Sequence, residues 1–459
     1  MTLFLPFVNS VLLFIFTEMA ALLFAILGII LLHSLFKSRQ YFISPVVAMA
    51  GSFLVATSIV LLNPQWDFIL SIQCLYVICF AILAFYLGTL VPNRVGIRHI
   101  IAREINAYIY EPNYKMTMFF LSLQWAMLAF FCGFIYRIGN GASLNAIKTA
   151  RIWMLHNDIP NIYGHIIHLS FSVSAVYIFL LLEQVFIQKK TRGVIYYILV
   201  IIPYIFIEVF SSSRTGIIYL SSYFLALFVF FLQKKLKQNE ISIKRQRKKI
   251  VKICLIISVS VFLLFILLGN ITGKTGDLGI VNMVSTYFGG SIYNLNYYVN
   301  HLDEFKSPSW GYFCFPILKS ILRTLGQDIP DVGNYYFPMH LIPSTLDENA
   351  FSPTNLYTCI AKPMTDFGLV GMMLFFFTLG LFYGISYRYV VRSTKVGLNI
   401  IYYGFFLMPL IGSSAEYLFG TMLFAPYALY RIIYIYCIFN VVTKKHNGLS
   451  SEGRQSNGI

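Results

Sequence analysis

Apolar runs of about 20 residues recur along the whole chain, hydrophobic on every face and separated by polar stretches of very unequal length. A run of that length predicts a helix able to cross a bilayer, since about 20 residues of helix match its hydrocarbon core. Strands of a membrane barrel would alternate apolar with polar, so a barrel is excluded. Ten spans read 42–62, 68–90, 116–136, 164–182, 193–209, 217–232, 253–269, 367–387, 396–414 and 421–442. The stretch 3–36 is too long for one straight helix and too short for two. With Glu18 near its middle, we read it as a lead-in followed by one span ending at Lys37 and Arg39.

The expected fold is therefore an all-α polytopic membrane protein of eleven spans, or twelve if the first stretch folds as two. Residues 1–269 hold the first eight spans, 270–366 one large loop outside the membrane, and 367–442 the last three. The short polar tail 443–459 is expected to be disordered.

Charge orients this bundle. Of the 34 Lys and Arg, 24 fall on one set of alternating loops, nine on the other, and Arg431 inside a span. The positive-inside bias makes the first set cytoplasmic, with the C-terminus inside and the loop 270–366 external. The cluster Lys244, Arg245, Arg247, Lys248, Lys249 and Lys252 then anchors topology and attracts anionic lipid, so a net charge of +16 does not imply a nucleic-acid partner. Only 11% of residues are charged, against about a quarter in soluble domains, which excludes a soluble protein. The N-terminus lacks a basic segment before its apolar run, so no cleavable signal is expected. Most of the seven Cys lie in apolar runs; Cys314 and Cys359 lie on the external segment, where the sequence leaves a disulfide open.

Candidate chemistry concentrates outside the membrane. In 316–325, Ile317, Leu318, Ile321, Leu322 and Leu325 share one helical stripe, and Lys319 and Arg323 sit four apart on another face. That pattern fits an interfacial helix meeting lipid headgroups or a pair of donors to a lipid-linked pyrophosphate. Lys148 and Arg151, beside Trp153, repeat the layout. Arg214 stands in a short polar turn between two apolar runs, where its guanidinium suits a phosphate bidentately and Thr215-Gly216 open a helix N-terminus. A snorkelling arginine or an ion pair with Glu208 explains it equally well. Arg431, in the last span, needs a partner or water, and Glu208 is the candidate. His165 and His168 lack further ligands at zinc spacing and read as interfacial. Asp366 and Glu416 sit at the external edges of successive spans. Either can act as a general base, or Asp366 can cap the helix starting at Phe367-Gly368.

These features resemble the O-antigen or oligosaccharide repeat-unit polymerases, the Wzy-type family. The layout matches, as do Ser213-Arg214-Thr215-Gly216, Tyr287-Phe288-Gly289-Gly290-Ser291, and Thr354-Asn355-Leu356-Tyr357-Thr358 leading to Asp366-Phe367-Gly368-Leu369-Val370-Gly371. The resemblance implies a GT-C-like glycosyltransferase of the bacterial inner membrane. It would join undecaprenyl-pyrophosphate-linked repeat units on the periplasmic face, with a chain-length regulator as a further partner besides membrane lipids.

Arg214, Lys319, Arg323 and Arg151 would then bind pyrophosphate, and Asp366, Glu416 or His340 would serve as catalytic base. Asn355, Tyr357, Thr358 and Trp310 would line the glycan groove, with Tyr335-Tyr336 as further stacking candidates. No cofactor or metal is expected, since cations neutralise the leaving group and no Asp-x-Asp occurs. The competing classes are an O-antigen ligase and a repeat-unit flippase. The latter predicts pseudo-repeated halves, which this chain lacks.

Overall fold

The computed structural model describes residues 22–34, 44–61, 69–94, 108–141, 147, 149–150, 152–154, 160–188, 193–211, 214–238, 252, 285–305, 307, 310–326, 340–343, 351–354, 356–392 and 397–447. Ten apolar helices fall among them, on ten of the eleven expected spans; the span 253–269 lies outside the described residues. Five are long and apolar enough to cross a membrane: Ile72–Pro92, Tyr114–Gly139, Asn161–Gln188, Gly216–Lys235 and Ala361–Val391. The chain is thus a largely helical protein of membrane-spanning character. Two two-stranded ribbons qualify the all-α expectation.

In chain order the elements are α1 (Leu22–Ser34), α2 (Pro45–Leu61), α3 (Ile72–Arg94), β1 (Tyr108–Pro112), α4 (Tyr114–Gly139), α5 (Asn161–Glu183), α6 (Val194–Phe210) and α7 (Arg214–Gln238). There follow α8 (Gly290–Asn300), α9 (Pro316–Thr324), β2 (His340–Pro343), β3 (Phe351–Thr354), α10 (Ala361–Arg392), α11 (Leu398–Ile411), α12 (Leu418–Met422), α13 (Pro426–Val442) and β4 (Thr443–Asn447). They divide into two compact units. The first comprises Met1–Ile97, Asp277–Tyr387 and Pro409–Ala428; the second comprises Arg98–Gly276, Arg388–Met408 and Leu429–Ile459.

In the first unit α3 and α10 approach until backbone meets backbone. A methyl at Gly88 would overlap the Phe377 carbonyl, one at Gly380 the Phe85 carbonyl, and one at Gly384 would come within 2.9 Å of the Thr89 Cα. Small residues permit this approach, which is how apolar helices gain dispersion contact without a hydrophobic driving force. Helix α10 is interrupted at Gly368, whose φ of 68° and ψ of −175° lie outside the helical region. A side chain would be strained there, so a glycine is what lets a short helical segment, Ala361 to Phe367, turn into the long apolar one. Helix α8 is tied to the connection before α3 through Asn296, which accepts from Ser71 N at 2.8 Å and donates to Ile69 O at 2.9 Å.

In the second unit the spans are joined by buried polar pairs. Gln124 of α4 accepts from Ser170 Oγ at 2.6 Å and donates to Ser170 O and Ser174 Oγ of α5. Tyr223 of α7 donates to Ala175 O at 3.0 Å. The strands β1 and β4 pair antiparallel, Tyr108 opposite Asn447 and Pro112 opposite Thr443, and Asn113 N donates to Val442 O at 2.7 Å. The expected disordered tail is therefore corrected over 443–447. Those residues complete a ribbon with a partner more than 300 positions away, a pairing that local composition does not encode. The last expected span is corrected too, because Pro426 starts α13 at its N-terminus and the residues before it form the separate short helix α12.

Candidate functional site

The best-defined polar cluster lies in the first unit, around the turn 412–417 that follows α11. Ser413, buried, accepts a backbone hydrogen bond from Cys359 N at 2.8 Å. Ser52 of α2 reaches Ser413 Oγ at 2.9 Å and accepts from Ser414 N at 3.1 Å. Ser291, at the start of α8, donates to Ser414 O. Asn294, one helical turn on, donates to Leu356 O at 2.8 Å. Ser291 and Cys359 thus hold a single turn from two sides, and that turn carries Glu416.

Glu416 is half-buried, with its backbone N bonded to Gly412 O at 3.0 Å. Burial raises its carboxyl above the ordinary glutamate value, and the Lys362 ammonium draws it part of the way back. Lys362 stands at the start of α10, within electrostatic reach of Glu416, Cys314 and Asp366, with its Nζ 5.6 Å from the centre of the Tyr417 ring. Tyr417 in turn donates to Cys314 O at 3.1 Å. Lys362 is the residue that sequence reasoning missed. Its signal was an i, i+4 spacing to Asp366 at the entrance of an apolar helix.

Asp366 is buried one turn beyond Lys362. Its Oδ1 accepts from Ser307 Oγ at 2.6 Å, and its Oδ2 from Phe313 N at 2.9 Å and Cys314 N at 2.7 Å. The Cys314 thiol adds a fourth donor. A carboxylate has about four lone-pair sites, so these donors occupy it. The expected helix cap is corrected: α10 already begins at Ala361, and the carboxylate binds loop amides rather than the amides of its own helix. Asp366 thereby fastens Ser307, Phe313 and Cys314 to the start of α10.

The other expected residues divide. Lys319 and Arg323 lie on α9, as the sequence pattern predicts, with Lys319 Nζ 5.0 Å from the Tyr312 ring centre. Trp310 is 71% exposed and its ring lies 4.8 Å from that of Phe367. Tyr357 and Thr358, expected along the glycan groove, lie in the interior. Both are buried, and Thr358 Oγ1 accepts from Ile360 N at 3.3 Å, so they build the core of this unit. His340 opens β2 opposite Thr354, and its side chain lies outside the described residues. Asn355, Arg151, Lys148 and Tyr335-Tyr336 lie outside them as well. Cys314 and Cys359 are both free and buried, so the disulfide is not formed.

Arg214 belongs to the second unit, where it opens α7; its side chain is outside the described residues. What fills the space over Gly216, in the first turn of α7, is the Glu208 carboxyl, which a methyl there would overlap. A helix N-terminus attracts negative charge, and here the chain supplies a carboxyl of its own at the place where a phosphate was expected. Arg431 is buried: its Nε donates to His168 Nδ1 at 3.1 Å, and the guanidinium lies 4.9 Å from the Phe171 ring centre. His168 is thereby a neutral acceptor on a structural pair, and His165 packs its ring against Tyr430 at 5.3 Å. Among the described residues no group of three or more His, Cys, Asp or Glu is arranged to hold a metal ion.

No family model matches this chain, and no curated protein and no solved structure matches it either.

Proposed function

We propose that the chain is a multi-pass glycosyltransferase of the bacterial inner membrane that polymerises undecaprenyl-pyrophosphate-linked oligosaccharide repeat units on the periplasmic face. The observation that carries this reading is the turn 412–417. One stretch that resembles the polymerases places Ser291 on it, and the passage that runs on to Asp366 meets it at Cys359 and carries Lys362 within electrostatic reach of Glu416.

In this reading a hydroxyl of the incoming lipid-linked unit attacks the anomeric carbon of the growing chain. The bond to undecaprenyl pyrophosphate breaks, the new glycosidic bond forms, and the hydroxyl proton passes to Glu416. A carboxyl raised above its usual value accepts such a proton more readily. Lys362, Lys319 and Arg323 supply positive charge for the developing pyrophosphate. Asp366 holds Phe313 and Cys314, just before α9, against the start of α10. The C-terminus is cytoplasmic in this arrangement.

Deletion of the gene in its host tests the reading. A polymerase mutant displays single repeat units on the surface, and Glu416→Gln should fail to restore the ladder of long chains. A mutant with no surface units and accumulated lipid-linked chains would indicate a ligase, and one with units trapped inside a flippase. A normal ladder after deletion would end the proposal.

A further inference from the structure

Helix α9 is amphipathic in a way that its own unit does not use. Ile317, Leu318, Ile321, Leu322 and Leu325 occupy one arc, and Lys319, Ser320, Arg323 and Thr324 the opposite one. No residue of α9 is buried, and the middle of the apolar arc is the most open part, with Ile321 49% and Leu325 72% exposed. A helix that packs on its own core shows the reverse.

The helix is nevertheless firmly placed. Ile317 N donates to Phe424 O at 2.8 Å, and Phe315, just before the helix, packs against Phe367, Phe375 and Phe424. Asp366 holds the preceding amides. These contacts fix α9 at the start of α10, where Trp310 leans on Phe367 and Val370, 71% exposed, lies just past the Gly368 break in an apolar helix long enough to cross a membrane. The exposed Trp310 thus lies at the start of this apolar helix, and the open arc of Ile321 and Leu325 belongs to the short helix anchored beside it. Residues 310–326 contain two cations and no carboxylate, which matches a surface of phosphates.

We propose that α9 lies in the bilayer interface, with Ile321 and Leu325 among the acyl chains, Trp310 beside them, and Lys319 and Arg323 at the lipid phosphates. Amphipathic helices with cations on the polar face and large apolar residues on the other take this position, and tryptophan favours the same depth. The inference does not depend on which reaction the protein performs.

Full-length protein in proteoliposomes of phosphatidylethanolamine and phosphatidylglycerol tests it, with Trp66, Trp125 and Trp153 replaced by Phe so that Trp310 alone emits. The expected result is a blue-shifted emission that is largely lost when the lipids carry brominated acyl chains and is little affected by aqueous iodide. Adding Ile321→Asp and Leu325→Asp should shift the emission to the red and admit iodide. A second probe, Leu325→Trp with Trp310→Phe in the same background, should also be quenched by bromolipid, and it decides the matter if the double aspartate variant fails to reconstitute. Quenching by iodide without bromolipid quenching would overturn the proposal by placing the helix in water. Protection from both quenchers would overturn it by showing that protein covers the face.

Discussion

Asparagine at position 366 separates positioning from proton transfer. In Asp366→Asn the amide oxygen can still accept from Phe313 N and Cys314 N, the two donors on Oδ2, while the amide NH2 turns to Ser307, whose hydroxyl reverses to accept. What is lost is charge assistance. Bonds to a charged group are worth about 1.5–3 kcal/mol and neutral ones about 0.5–1.5 kcal/mol. Removing the desolvation of a buried carboxylate offsets part of that difference. The expected net cost is about 1 kcal/mol.

Asp366→Ala behaves differently, because it leaves the amides of Phe313 and Cys314, both buried, without acceptors. At about 1–3 kcal/mol for each orphaned group, the expected cost is ~2–6 kcal/mol. Thermal unfolding of the detergent-solubilised protein, followed by size exclusion, should place Asp366→Asn near wild type and Asp366→Ala well below it. The polysaccharide ladder of a deletion strain carrying each variant should follow the same order. A stable, well-expressed Asp366→Asn protein that makes no ladder would refute the positioning role and return the carboxylate to the chemistry.

Four further outcomes are expected. Since burial raises the Glu416 carboxyl, polymerisation in proteoliposomes should fall on the acid side at a pH above the ordinary glutamate range. Lys362→Met removes the cation that favours the ionised form and should move that limb higher still; an unmoved limb would separate Lys362 from Glu416. Gly380→Ala places a methyl against the Phe85 carbonyl and should cost about 1–3 kcal/mol of stability through overpacking, which melting of the purified protein would register. Gln124→Leu leaves the buried Ser170 hydroxyl without its acceptor and should lower stability by about 1–3 kcal/mol, whereas pairing it with Ser170→Ala should recover part of the loss in the same melt.

Hydrophobicity is a local property, and that is why the helices could be read along the chain. A run of 20 apolar residues satisfies its backbone within itself in lipid, whatever its neighbours do. The same locality made α9 legible as an amphipathic helix and Glu416 legible as an edge carboxylate. Polar residues are different, because what they do depends on what reaches them. Asp366 reads as a cap or a base until its donors are known, and those come from 52 to 59 positions away. Tyr357 and Thr358 belong to a sequence pattern suited to a sugar groove, yet they are core residues because the turn 412–417 and α8 close around their segment. Arg431 reached His168 through the packing of α5 against α13, and Lys362 acquired its importance only when folding brought Glu416 beside it. The sequence alone determined a chain of apolar helices with a large polar excursion before α10. Which of its charged groups share an environment was decided by tertiary contacts, since electrostatic and hydrogen-bonding energies fall away within a few ångströms and a linear pattern carries no such distances.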